Sequence, residues 1–158
     1  MNKLQSIKLE ALDLPVFKEV RGKDWVSFGD KNLYPDKIID LYNTSAMNAT
    51  AINSITDAVK GEGVVNIGET IVNTEGETLN DIYEKIALDY VLFNGFVLNC
   101  IWNRGGDKKV EMYSLPFDKV RSGKLNEEDK VEDYYYSSNW SNTRKYPPVR
   151  YKSYSTTD

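Results

Sequence analysis

Carboxylates are the residues with which this sequence could build a catalytic centre. Glu127, Glu128 and Asp129 are consecutive, and Asp36 and Asp40 are one helical turn apart. Consecutive side chains diverge, so the first set is predicted to be a solvated loop. Asp36 fits the negative charge that is favoured beside a helix N-terminus. A carboxylate-dependent hydrolase is therefore the last of three hypotheses for the function.

Other catalytic chemistry is limited by two counts: the sequence has no histidine and one cysteine, Cys100. The missing histidine removes the usual general base at neutral pH, the Ser–His and Cys–His pairs, and the commonest zinc ligand. A single cysteine can form neither an internal disulfide nor a thiolate metal cluster. Because Cys100 lies in an apolar run, we expect a buried, unreactive thiol. We predict no catalytic residue and no metal site.

Two glycine clusters, Gly61-Glu62-Gly63 and Gly105-Gly106, are the only candidates for a phosphate cradle. A dinucleotide loop needs a strand before its glycines and a helix after them. The first cluster instead follows a predicted helix, and the second is predicted to be a hairpin tip. No cofactor is expected.

Aromatic and basic side chains alternate near the end of the sequence. Such alternation is typical of stacking platforms for single-stranded nucleic acid, and also of protein interfaces, where Tyr, Trp and Arg are enriched. The acidic stretch just before it favours protein contact. Trp25 and Tyr34 could line a groove for a partner or form a hydrophobic clasp at the start of the first helix. The candidate contact residues are Trp25, Tyr34, Tyr135, Trp140, Arg144, Lys145, Tyr146 and Arg150.

Composition sets further bounds on the function. The 158 residues carry a formal charge of −4, and 28% of them are charged. Proteins that hold nucleic acid through its phosphates usually carry a basic excess, so the chain is not expected to clamp DNA electrostatically. No apolar run approaches the roughly 20 residues needed to cross a bilayer. No signal peptide is visible, so we expect a cytoplasmic protein that does not bind membranes.

Helical signals cluster in the first two-thirds of the sequence. Pro35 suits the first turn of a short helix, and Ser45 can cap a second helix from 46 to 60, closed by Gly61. Thr78 and Asp81 have the spacing of a capping box, which predicts a long helix from 79 to 94 closed by Gly95.

Strand signals follow. Residues 96–103 and 110–115 are predicted to pair as an antiparallel hairpin, with 133–138 as a further strand of the same sheet. Short strands are also considered at 16–20 and 64–67. The predicted class is α+β, with a helical pair and one long helix packed on an antiparallel sheet built around a hairpin near 96–115. Residues 1–24 are read as an extended arm, 25–139 as the domain, and 140–158 as a polar, aromatic tail that leaves the domain surface.

Several of these segments, in order, resemble the N-terminal part of portal proteins from tailed phages and prophages of Bacteroidetes. The first is Phe28–Pro35, followed by Leu41–Ala46 and by the glycines after the second helix. Tyr113–Lys124 is similar to that family's segment after its first hairpin, and Tyr134–Trp140 with Arg144–Pro148 is similar to its next block. The resemblance covers residues from about Trp25 to about Tyr151.

The resemblance implies a virion structural protein, a subunit of the ring (typically a dodecamer) at one capsid vertex. Such a ring takes part in DNA packaging, and double-stranded DNA passes through it without tight binding. The partners implied are further copies of the chain, the terminase, the capsid and the tail-adaptor proteins. The implied location is the bacterial cytoplasm during assembly and then the virion. This chain would be a wing-like part, truncated relative to a full portal, with no catalytic residue. A stand-alone module that binds protein or single-stranded nucleic acid is the alternative.

Overall fold

The computed structural model describes residues 15–102 and 110–154. The fold is mixed α+β, as predicted. In chain order, one small antiparallel sheet precedes the three helices, and two more follow them. The first 14 residues of the predicted arm at 1–24, and the predicted hairpin tip at Arg104–Asp107, lie outside the described residues.

A short ribbon precedes the helices. Strand β1, Phe17–Glu19, pairs antiparallel with β2, Val26–Phe28, which confirms the strand considered at 16–20. A single 3-10 turn, Asp30–Asn32, then leads into the first helix.

Three helices follow, and each begins with the N-terminal feature that the sequence predicted. Helix α1 is Tyr34–Thr44 and has Pro35 in its first turn. Helix α2 is Ala46–Lys60, and the hydroxyl of Ser45 accepts from its Asn48 amide. Helix α3 is Leu79–Phe93 and begins with the predicted capping box. Asn94, at φ 57°, takes the left-handed position after α3, so the prediction that Gly95 closes this helix is wrong.

Contacts between α2 and α3 are both ionic and polar. Lys60 Nζ lies 2.8 Å from Glu84 Oε1, and the Tyr83 hydroxyl donates to the Val59 carbonyl at 3.3 Å. The connection between the two helices consists of turns, so the strand considered at 64–67 is not formed. Its amide groups are held by α3, because the Asn80 side chain accepts from the Val64 amide at 2.9 Å.

The hairpin forms as predicted. Strand β3, Val97–Trp102, pairs antiparallel with β4, Val110–Leu115, in a register that places Val97 opposite Leu115. The outer edge of β4 is covered by the chain before α3. There the Met112 amide donates to the Val72 carbonyl at 2.9 Å, and the Asn73 side chain donates to the Met112 carbonyl at 3.0 Å.

A 3-10 turn at Phe117–Lys119 leads into a separate three-stranded sheet. Its strands, in spatial order, are β5, Val120–Ser122, then β6, Asp133–Tyr136, and then β7, Val149–Lys152. The predicted strand near 133–138 is therefore present, but it does not join the hairpin's sheet.

The predicted tail does not leave the domain surface in its described part. Residues 149–152 form β7 and pair with β6. Trp140 is 5% exposed, and it belongs to the small core together with Phe28, Ile82, Ala87 and Val120. The prediction failed because this segment is anchored by one large aromatic ring and by strand pairing, neither of which needs apolar periodicity.

Candidate functional site

A buried arginine gathers three of the segments that the sequence singled out. Arg121 is 3% exposed at the start of the three-stranded sheet. Its Nε donates to the Asn32 side-chain oxygen at 2.6 Å, and its Nη2 donates to the Asn32 carbonyl at 2.9 Å. Its Nη1 donates to the carbonyls of Asp118 and Val120, both at 2.8 Å. Each of its three nitrogens thus donates to an acceptor of the chain itself, and four of the five N–H groups of the guanidinium are used in this way.

Asn32 is the acceptor that makes this arrangement possible. It is buried and has a left-handed backbone, with φ 64°. Its side-chain oxygen accepts from the Phe28 amide at 2.9 Å as well as from Arg121. Asparagine tolerates this conformation better than most residues. We call Asn32, Arg121 and Trp140, with the 3-10 turn at Phe117–Lys119, the arginine cluster.

Carboxylates compensate the buried charge. Burial lowers the pKa of Arg121 to about 10, and the nearby Asp36 and Asp118 oppose that shift. Arg121 therefore stays charged at neutral pH. Lys119 Nζ links the two carboxylates, at 2.6 Å from Asp118 and 3.7 Å from Asp36. Asp36 thus belongs to an ionic contact as well as to the helix start, and Asp40 is exposed on the same helix.

Asp89 of α3 lies beside this cluster. Its carboxylate accepts from the Phe117 amide at 3.1 Å and so ties α3 to the 3-10 turn. Burial raises the pKa of Asp89 to about 6, and the negative charge of Asp118 adds to the rise. A perturbed carboxyl of this kind is a candidate acid or base. Its hydrogen bond to a turn amide gives it a structural role instead.

The aromatic candidates pack on one another. The Trp25 ring lies 5.4 Å from Trp140 and 6.0 Å from Tyr135. Trp140 also donates from Nε1 to the Lys119 carbonyl at 2.9 Å, and its ring lies 4.9 Å from the Arg121 guanidinium. These rings hold the chain end against the domain and do not form an exposed stacking platform.

Of the two roles considered for Tyr34, the structure shows the hydrophobic clasp and not a groove for a partner. Its ring lies 5.1 Å from Phe28, and the neighbouring Pro35 is fully buried. Tyr34 and Pro35 therefore form the hydrophobic clasp at the start of α1.

The basic candidates are separated. Arg144 and Lys145 are exposed, and Lys145 Nζ lies 5.3 Å from the Tyr146 ring. Arg150 is paired with Asp133, with 2.7 Å between Nε and Oδ1. Arg144, Lys145 and Tyr146 are consecutive and form one small basic and aromatic group.

The consecutive carboxylates are solvated, as predicted. Glu127, Glu128 and Asp129 are exposed, and Glu128 pairs with Lys130 at 2.8 Å. Within residues 15–102 and 110–154, no three His, Cys, Asp or Glu side chains converge as a metal site would require.

The sequence analysis missed a groove. It has a volume of about 670 Å³, lies between the β3–β4 hairpin and the three-stranded sheet, and is lined mainly by aliphatic and aromatic residues. We call it the hairpin groove. Cys100 lines it and is exposed, so the predicted burial of this thiol is wrong. The physical reason is that, within residues 15–102 and 110–154, no strand pairs with the outer edge of β3. The sequence feature that could have predicted this exposure is the run of apolar residues at successive positions of a two-stranded hairpin.

Comparisons with known proteins identified no similar protein. No family model, no curated protein and no solved structure matches the chain. In the described segments, every helix is too short or too polar to cross a bilayer.

Proposed function

We propose that the chain is a structural subunit of a phage portal ring, corresponding to its N-terminal wing part, and that it has no catalytic centre. The observation that carries this proposal is the distribution of apolar side chains. Among the described residues, more large hydrophobic side chains are exposed than buried. Extended apolar surface of this kind marks sites that another protein covers.

Two groups of these exposed apolar residues lie on different parts of the fold. Leu41, Met47, Ile55 and Val59 lie on the helical pair, where Met47 is 86% exposed. The second set lines the hairpin groove. Ring assembly joins one surface of each subunit to a different surface of the next, so it requires two unlike contact surfaces. This chain offers two.

The arginine cluster supports a rigid role. Its buried charge is satisfied by the chain itself, so the cluster fixes the segments to one another and leaves no reactive group exposed. A formal charge of −4 also suits a ring through which DNA passes without being held. The terminase, capsid and tail-adaptor contacts, and the location in the virion, belong to this proposal through the resemblance.

The test is ring formation by a chain that continues past Asp158. Negative-stain microscopy is expected to show closed rings of one size. Changing Met47→Asp together with Ile55→Asp is expected to prevent them, because two carboxylates would be buried in the contact. A long chain that stays monomeric at high concentration contradicts the proposal.

The matched control is Asn53→Asp, compared with Ile55→Asp alone, which should impair the rings. Asn53 is on the same helix but about 160° around its axis from Ile55, since successive helical residues are about 100° apart. Rings should persist in the control. The variants should remain folded by circular dichroism, because Met47, Asn53 and Ile55 are exposed.

A further inference from the structure

The exposed side of helix α2 carries almost no charge. Its exposed residues include Ala46, Met47, Ala51 and Ile55, and no residue from Ala46 to Thr56 is charged. About a quarter of the residues of an average soluble protein are charged, and charged residues are depleted at the centre of protein interfaces. This side of α2 therefore has the composition of a contact surface and not that of a solvated helix face.

The apolar side chains of this surface form a ridge. Met47, Ala51 and Ile55 are four residues apart, so they are neighbours along one side of the helix. Met47 is 86% exposed and Ile55 is 52% exposed. The helix rises about 12 Å from Met47 to Ile55. We call these three residues the α2 ridge.

The hairpin groove is a concave surface between two walls. One wall is formed by the hairpin, and the other by the three-stranded sheet and the residues after it. Tyr134 pairs directly with Tyr151 in that sheet, and Val120 lies on the same face. On the hairpin, the lining from Val97 to Trp102 spans about 16 Å of extended strand. The groove is therefore long enough to receive the α2 ridge.

Within one chain, the ridge does not occupy the groove. No residue of α2 lines the groove, and both Met47 and Cys100 are exposed. We propose that the α2 ridge of one copy inserts into the hairpin groove of the next copy. This is the mode in which the apolar face of a helix binds a hydrophobic groove. The inference rests on the proposed ring, for which it names the two unlike surfaces that meet.

The side chains of the two surfaces are chemically complementary. The thioether of a methionine makes favourable contacts with aromatic rings. Met47 projects from the ridge, and the groove presents Phe96, Trp102 and Tyr154, which are 48%, 56% and 67% exposed. Insertion would therefore cover apolar surface on both copies.

Insertion of the ridge would also bury no unpaired charge. The ridge carries none, and Lys152 is the one charged residue in the described lining of the groove. Because Lys152 follows Tyr151 in β7, its side chain points to the opposite face of the sheet. Charge does not oppose the contact.

Another group of exposed apolar residues fits the groove less well. Val65, Ile67 and Ile71 lie in the connection between α2 and α3, and Glu69 lies among them. A carboxylate buried without a partner is costly, so this segment is a poorer occupant than the ridge.

The experiment crosslinks the ridge to the groove. Cys100, the chain's single cysteine, lines the groove, and Ala51→Cys places a second thiol on the ridge. A short bismaleimide is added to the concentrated full chain. Since each copy then carries both thiols, we expect a ladder of dimers, trimers and higher multiples on a denaturing gel. The native chain should remain monomeric on the same gel.

Asn53→Cys is the matched control for the ridge. Residue 53 is exposed on the same helix. It lies about 160° around the helix axis from residue 51, so its crosslinked fraction should be about tenfold lower.

The groove is tested by Leu98→Glu in the Ala51→Cys chain. The added carboxylate would be buried at the contact, so the crosslinked fraction should fall about tenfold. Leu125→Glu is the matched change, because Leu125 is also exposed and apolar but does not line the groove, and it should leave the ladder intact. An excess of a monofunctional maleimide should label Cys100 to completion in both variants, which shows that the thiol remains available.

The outcomes separate this contact from the ring. A ladder from Ala51→Cys in a long chain that forms no closed rings supports the contact and contradicts the ring. Closed rings of a long chain in which Ala51→Cys yields no ladder support the ring and overturn the contact.

Other occupants of the groove give different products. A crosslinked dimer from Ala51→Cys combined with Cys100→Ser would mean that two ridges meet each other. Equal ladders from Ala51→Cys and Asn53→Cys would mean that copies collide without a specific contact. A concentrated chain that gives no ladder in any variant would assign the groove to an occupant other than α2. Each of these three results overturns the proposal.

Discussion

The arginine cluster and the hairpin groove differ in the polarity and the burial of their side chains. In the cluster, a charge that is costly to bury is surrounded by backbone carbonyls, by Asn32 and by the Trp140 ring. At the groove, apolar side chains that would gain from burial remain exposed, beside two strand edges that have no strand partner in the part of the chain that the structure describes. One region completes its contacts within the chain, and the other is the surface for which we propose a second molecule.

This difference separates residues that hold the fold from residues that we propose to contact a partner. A buried polar group is costly unless it is bonded, so the cluster should tolerate little change. An exposed apolar side chain contributes little to folding and can be replaced at small cost. Changes of the same residue type in the two regions should therefore differ strongly in stability and in association.

The largest difference is expected between two tryptophans. Trp140→Ala should lower the free energy of unfolding by about 3–5 kcal/mol, because it removes a buried ring and leaves a cavity beside Arg121. Trp102→Ala should lower it by about 1 kcal/mol, the contribution of one exposed ring stack. Urea unfolding followed by circular dichroism measures both. Equal losses would remove the distinction between the two regions.

The sequence predicted those parts of the fold whose signals are local. Helices α2 and α3 were placed by a capping serine, by the Thr78–Asp81 box and by apolar spacing, and the structure has each of these. The β3–β4 hairpin was placed by two β-type runs around a glycine-rich turn. Each of these signals acts within a few residues along the chain.

The features that were missed depend on contacts distant in sequence. Arg121 and Asn32 are 89 positions apart, and no local pattern announces their bond. Cys100 lies in an apolar run that predicted burial, but burial of a strand requires an element on its outer side. Trp140 was assigned to a protein-contact tail because it lies in a polar segment, whereas it packs into the core.

A smaller difference in the free energy of unfolding is expected between alanine variants at two glycines. Gly29, at φ 74°, lies in the loop that carries Asn32, and a Cβ there would lie 2.5 Å from the Cβ of Tyr34. Gly29→Ala should therefore lower the free energy of unfolding by about 2–3 kcal/mol, through left-handed strain and this clash. Gly22, at φ 79°, has no atom within 4 Å of that position, so Gly22→Ala should cost only the strain, about 1 kcal/mol. If both variants lose the same free energy on thermal unfolding, the close approach of Tyr34 does not contribute.

The smallest effect on stability is expected at Asp89, whose hydrogen bond connects α3 to the arginine cluster. Burial and the charge of Asp118 raise the pKa of Asp89 to about 6 in the folded chain, above its ordinary value of 3.8. Because the folded state binds this proton more tightly, the contribution of Asp89 to stability is fully present below pH 3.8 and is lost as the pH rises through 6. Asp89→Asn should therefore stabilise the protein at pH 7.5, by about 1 kcal/mol after allowance for its partial exposure.

The pH dependence of that gain identifies its cause. Asparagine can still accept from the Phe117 amide, so the variant keeps the bond and loses only the charge. The stabilisation should shrink as the pH is lowered from 7.5 to 5, where the native carboxyl is mostly protonated. Glu77 and Asp81 have lowered pKa values in the folded chain, so their contributions are lost only at lower pH and do not mask the change. A gain of equal size at both pH values would mean that the asparagine acts through packing. It would also mean that the negative charge of Asp89 does not destabilise the folded chain.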